Sequence, residues 1–237
     1  MAPEFSFGPV YCETLSAVPG VYPVEPFNTV SNGVIVMFGL LGLYFVIKRS
    51  PRAVDLYILC TLLMATGIGS GIWHGMRDGD ALFWEVRSGL YFVFTIVFCW
   101  ARRLWTIVGA ALALAGFYYG FEFFSDYGNE FLGIAGRWVA ITPLVVGSGA
   151  ILIAHTAFRS REAALLGGVA VASAVVAVTF RTIDLDVCST LPMGTHFLWH
   201  SFLSAGGFCG ILALTRLPAA APKWLRPRAQ EASEAAE

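Results

Sequence analysis

His196-Phe197-Leu198-Trp199-His200 opens an apolar run that continues to Thr215 without a single Lys, Arg, Asp or Glu. That is the length of about 20 residues a bilayer-crossing helix needs. Two histidines four apart share one helix face, about one turn and ~6 Å of rise from each other. At that reach both imidazoles can hold one zinc, and a third histidine would leave the fourth position open for water. Gly69-Ser70-Gly71-Ile72-Trp73-His74 supplies a third, so three of the four histidines sit in two apolar segments.

Working outward, the whole chain has the composition of its last long segment. Of 237 residues, 57% are hydrophobic and 13% charged, against about a quarter charged in ordinary soluble domains. Seven apolar segments lie near 28–47, 54–75, 82–101, 104–122, 134–157, 163–182 and 196–215, which predicts an all-α membrane protein, a seven-transmembrane helix bundle. Gly167, Gly168, Gly206 and Gly207 inside them allow close helix approach. Residues 1–27 form a polar, Pro-rich arm before the bundle at 28–217, and 218–237 read as a disordered tail. Net charge near zero points away from nucleic acid, and the acidic N-terminus lacks the basic region of a cleaved signal peptide.

Basic residues give the orientation. Lys48, Arg49 and Arg52, Arg102 and Arg103, Arg159 and Arg161, then Arg216, Lys223, Arg226 and Arg228 fall on one side: eleven of the fifteen. The N-terminus is therefore expected outside and the C-terminus in the cytoplasm. The opposite connections are acidic or mixed, with Asp78 and Asp80, then Glu122, Asp126 and Glu130, then Asp184 and Asp186. This topology places His74 in the last outer turn of segment two and His196 and His200 in the first outer turns of segment seven. Ser70 and Glu85 fall in the same layer. A retinal-type photoreceptor is excluded, because a Schiff base needs a lysine inside a helix and the only two, Lys48 and Lys223, lie in cytoplasmic segments.

Ionisable groups inside membrane segments are costly and mark function. No acid stands between His196 and His200, so a general base must come from elsewhere. Glu85 is the best-placed carboxylate, and is equally placed to pair with Arg77 or Arg87. Ser70, one turn from His74, can stabilise an oxyanion or satisfy its hydroxyl on the carbonyl four residues back. His155 belongs to the cytoplasmic end and reads as structural. Arg181, Asp184 and Asp186 are either support for the histidines or a solvated loop. Cys60, Cys99 and Cys209 lie within helices and read as inert thiols. Cys12 and Cys188 both fall in outer segments, where an oxidising compartment permits a bond that would tie the arm to the loop before segment seven.

Four motifs in order, Cys12-Glu13, Glu25-Pro26-Phe27-Asn28-Thr29-Val30-Ser31-Asn32, the segment from Gly67 to His74, and His196 to His200, resemble the alkaline ceramidases. These belong to a superfamily of seven-helix membrane hydrolases that includes the adiponectin-type receptors and Per1 proteins. The resemblance implies zinc on His74, His196 and His200, and hydrolysis of the ceramide amide to a fatty acid and a sphingoid base. Ser70 matches the oxyanion serine, and Glu85 stands where the family has an aspartate that assists the water, one methylene longer. Cys12 and Cys188 match a family disulfide. A calcium site is implied at Glu13, Glu25 and the carbonyl of Tyr11, but two further ligand positions are Val10 and Leu15.

The expectation is thus a zinc-dependent membrane amidase acting on ceramide or a related N-acyl lipid. Its alternatives are a lipid-sensing receptor-like protein with a structural zinc and a hydrolase of ester lipids. Compact loops and Ala-rich composition point to a bacterial inner membrane rather than a eukaryotic endomembrane, with the site toward the non-cytoplasmic side.

Overall fold

The computed structural model describes residues 8–217, apart from the side chains of 133–135. The expected tail at 218–237 and the first seven residues of the arm lie outside the described residues. A short α1 (Cys12–Ser16) precedes seven long helices: α2 (Pro26–Arg49), α3 (Val54–Met76), α4 (Gly79–Leu104), α5 (Ile107–Phe131), α6 (Gly133–Ala157), α7 (Arg161–Thr182) and α8 (His196–Thr215). All seven are long and apolar enough to cross a membrane, so the expected all-α, seven-helix architecture is observed.

Local chemistry sets the ends of these helices. Asp78, Thr106 and Ser160 each cap the helix they precede by accepting an N–H from Ala81, Gly109 and Ala163, which satisfies one orphan donor of the first turn. Arg77 closes α3 in the left-handed conformation, φ +56°, as the residue after a helix commonly does. Pro23 precedes α2, and Pro26 occupies its first turn, where the missing N–H costs nothing.

One boundary differs from the sequence reading. Glu122, Asp126 and Glu130 are not a loop: α5 runs on to Phe131. The acids point outward, while Phe121, Ser125 and Gly128 keep a buried face against Arg137 and Ala140 of α6. Apolar run length located the membrane-spanning part and missed the amphipathic extension.

Each long helix packs on the next, and α2 also packs on α8, so the first and last spans adjoin. This adjacency brings the end of α3 beside the start of α8. At the opposite end the basic residues gather. Arg103 donates to Asp55 at 2.6 Å and to the carbonyl of Leu217, and Arg159 donates to the carbonyls of Arg103 and Leu104. His155 sits there too, edge-on to Trp105 with Nδ1 on the carbonyl of Ile151. The apolar core, from Val46, Leu56 and Leu59 to Ile211 and Leu214, fills the space between the two ends.

Candidate metal centre

Three imidazoles meet where α3 ends and α8 begins. The ligand atoms of His74, His196 and His200 lie within 4.8 Å of one another, with ring centroids 4.6 to 5.2 Å apart. All three are at most 2% exposed. Among the described residues no other His, Cys, Asp and Glu side chains gather this way. The sequence-predicted histidines therefore come together, and His155 stays apart.

Hydrogen bonds to the outer nitrogens decide whether the group fits a metal. His74 Nδ1 is paired with the carboxylate of Glu25, which in its ionised form can only accept. His200 Nδ1 lies 2.7 Å from the hydroxyl of Ser31, whose own proton goes to the carbonyl of Asn28. Both rings thus donate from Nδ1 and leave Nε2 as a bare lone pair. Nε2 of His74 and of His200 are buried with no partner in the protein, a costly state for polar atoms that a bound cation relieves. Neutral imidazoles oriented by a carboxylate or hydroxyl behind them are the donor set of zinc and related ions. The residues fit a metal. His196 differs, because its Nδ1 faces Nη1 of Arg181 at 3.5 Å.

Glu25 is the hub of the support. Besides His74, its oxygens accept from Thr14 Oγ1 at 2.5 Å, Asn28 Nδ2 at 3.2 Å and Arg77 Nη1 at 3.1 Å. Its backbone N–H donates to the carbonyl of His74, and that of Val24 to Gly75. Burial pushes the Glu25 carboxyl above the usual range, while Thr14, Arg77 and Asn28 pull it back. Arg77 stacks over Trp73 at 4.0 Å.

Asp184 does for α8 what Glu25 does for α3. The side chain is 2% exposed. Oδ1 accepts from the backbone N–H of Thr195 at 2.6 Å and of His196 at 2.9 Å, and Oδ2 from that of Cys12. A negative charge at a helix N-terminus is favourable, and here it fixes the turn carrying His196. Asp186 is exposed. Cys12 and Cys188 form the expected disulfide, which fastens the arm to this loop. Tyr11 then covers the histidines, its ring stacked 3.9 Å from that of His196. Burial raises the Tyr11 phenol above its ordinary value, with Arg181 opposing.

Ser70 and Glu85 meet. The Ser70 hydroxyl donates to Glu85 Oε1 at 3.0 Å rather than to its own helix, and Glu85 Oε2 is buried without a partner. Neither arginine takes Glu85, since Arg77 is engaged by Glu25 and Arg87 stacks on Phe83 at 4.0 Å. Gly69 allows this approach of α3 to α4, because a Cβ there would lie 3.0 Å from the Glu85 nitrogen.

The residues expected to bind calcium have other partners. Glu13 accepts from the N–H groups of Phe27 and Asn28, capping α2. The carbonyl of Tyr11 accepts from Leu15, and Glu25 is engaged as above. Burial raises the Glu13 carboxyl, against the pull of those two N–H groups.

Sequence reasoning missed Ser31 and the arm ring of Tyr11, and left Asp184 between support for the histidines and a solvated loop. For Ser31 a signal existed: Asn28, Ser31 and Asn32 form a polar stripe at i, i+3 and i+4 on an otherwise apolar helix. No protein-family model matches the chain, and no curated protein matches it.

Proposed function

We propose that this protein is a zinc-dependent membrane amidase that hydrolyses ceramide or a related N-acyl lipid to a fatty acid and an amine. The observation that carries the reading is the pair of partnerless Nε2 lone pairs on His74 and His200, in one group with His196 and beside a Ser70–Glu85 pair. His74, His196 and His200 would hold the zinc ion, which would supply Lewis acidity and lower the pKa of a water toward about 7.

The chain's own groups do the rest. Hydrolysis forms a carbon–oxygen bond, breaks the carbon–nitrogen bond and carries one proton from water to the leaving amine. Glu85 Oε2 has no competing donor, so it is free to take that proton and return it. Ser70 holds Glu85 through Oε1 in the resting state, and its hydroxyl can turn toward oxygen charge developing on the carbonyl. Tyr11 and the arm shield the histidines from bulk water. A three-histidine group is the donor set of catalytic rather than closed structural zinc sites, which favours the enzyme over a sensor with a structural metal.

The basic residues support a side of the membrane. Among the described residues Lys48, Arg49, Arg52, Arg102, Arg103, Arg159, Arg161 and Arg216 belong to the end opposite the histidines, which favours an outside N-terminus and an outward-facing site. The bacterial inner membrane rests on the compact loops and Ala-rich composition. The test is ceramide hydrolysis by detergent-purified protein alongside its zinc content. Glu85→Gln should lower turnover by about 10²–10⁴-fold with zinc retained, and an ester analogue run in parallel separates amide from ester specificity. A His196→Ala protein keeping full zinc and full activity would sink the reading.

A further inference from the structure

Arg181 is a cation at the edge of the histidine pocket. It occupies the last turn of α7, partly buried, and no carboxylate of the described residues reaches it as an ion pair. The other charged groups at this end make no ion pair with it. Glu25 pairs with His74 and Arg77, Asp184 spends both oxygens on backbone N–H groups, and Glu85, whose Oε1 receives Ser70, acts on Arg181 only through space. The guanidinium instead sits in an aromatic box of Tyr11, Trp138 and Trp199, with centroids 5.7, 5.4 and 5.2 Å away. Nη1 stands 3.5 Å from His196 Nδ1, at the outer limit of a hydrogen bond, and the Tyr11 hydroxyl also lies within its reach. The α7 C-terminus offers roughly half a charge, and no side chain of the described residues completes an ion pair with the guanidinium. Ring faces hold a guanidinium in place and leave its edge N–H groups, the part that recognises carboxylate, unspent.

We propose that Arg181 is the anion-recognising residue of the histidine pocket and takes the carboxylate of a long-chain amphiphile. Two sources share that chemistry: the fatty acid released by amide hydrolysis, which rests on the function proposed above, and a carboxylate-bearing headgroup. Either ligand would lay its chain into the apolar bundle and its charge beside the histidines.

The probe is calorimetric titration of the full-length, detergent-purified, chelator-treated protein, so that no metal contributes its own attraction for carboxylate. Dodecanoic acid is compared with dodecanol, and N-dodecanoylglycine with its methyl ester, at alkaline pH. The wild type should prefer a charged ligand over its neutral counterpart by about 10- to 100-fold, the size of one hydrogen bond to a charged group. Preference for dodecanoic acid assigns the acyl product, and preference confined to N-dodecanoylglycine assigns a headgroup.

Arg181→Gln should abolish the preference while leaving the affinity for dodecanol alone, and Arg181→Lys should keep part of it. A residue that merely clamps the arm would change both members of a pair equally. Equal binding of charged and neutral ligands by the wild type overturns the proposal without any variant, as does a preference that survives in Arg181→Gln. Preference without ceramide hydrolysis would refute the amidase and leave the anion subsite standing. Hydrolysis without preference would do the reverse.

Discussion

Replacing Asp184 by Ala should damage the candidate metal centre from a position that touches none of the three imidazoles. Its carboxylate accepts three backbone N–H groups, those of Cys12, Thr195 and His196, at 3.1, 2.6 and 2.9 Å. Removing it leaves three donors in a region where the replaced residue is 2% exposed. Each unsatisfied buried donor costs about 1–3 kcal/mol. The disulfided arm cannot swing away, but water can enter the space vacated, so the low end applies and the total is about 3 kcal/mol. For a chain of this size that corresponds to roughly 6–12 °C in Tm. Asp184→Asn keeps one acceptor oxygen and should lose about half as much. Thermal unfolding in detergent measures the first effect. Zinc titration against a competing chelator measures the second, a weakened affinity, because His196 is the residue whose own N–H is released. A Tm within 2 °C of wild type for Asp184→Ala, with unchanged zinc affinity, would refute the capping argument (the bound is about 1 kcal/mol).

Two further outcomes follow from the contacts. Glu25→Ala removes the partner that holds the His74 ring, and zinc affinity should fall about 10- to 100-fold, read by the same chelator competition in protein of unchanged helical content; equal affinity would show that Glu25 does not orient the ring. Gly206→Ala should cost about 1–3 kcal/mol, because a Cβ there would lie 2.9 Å from the carbonyl oxygen of Ala170 on α7, whereas Gly168→Ala meets nothing within 4 Å and should be neutral or slightly stabilising; similar Tm values for the two would refute close α7–α8 packing at Gly206.

What could be read from the sequence was local or followed from counting spans. The spacing of His196 and His200 is a one-turn relation within α8, and it holds wherever the helix packs. Bringing His74 to them needed only the alternation of seven spans, and the same count placed Ser70 and Glu85 in one layer. The supporting residues obey no such periodicity. Asp184 matters because the first N–H groups of α8 lack partners and the chain returns there through a loop, a relation between a helix end and a residue twelve positions before His196. Tyr11 reaches His196 only because the arm folds back over the bundle. The extension of α5 to Phe131 was hidden for a different reason: its acids face outward, so a hydropathy scan sees polar residues and misses the buried Phe121, Ser125 and Gly128 beneath.

The three buried carboxylates at the histidine end have different partners. Glu13, Glu25 and Asp184 are each at most 4% exposed, and like charges this deep would destabilise one another and the fold unless neutralised. Each has its own answer. Glu13 faces the first N–H groups of α2, and Asp184 faces those of α8, both positive ends of helix dipoles. Glu25 faces Arg77, a fixed guanidinium braced on Trp73, together with the Nδ1–H of His74. Two ligand positions of the implied calcium site are Val10 and Leu15, and the helix N-termini, Arg77 and the His74 Nδ1–H bring the positive charge that the three carboxylates face. The carboxylates therefore serve the histidine group indirectly, by orienting His74 and starting the turn of His196. Arg77→Gln should accordingly loosen Glu25 and weaken zinc binding, and added calcium should not restore it. Recovery of wild-type zinc affinity on titrating Arg77→Gln with calcium would show that the arm does hold a calcium site after all.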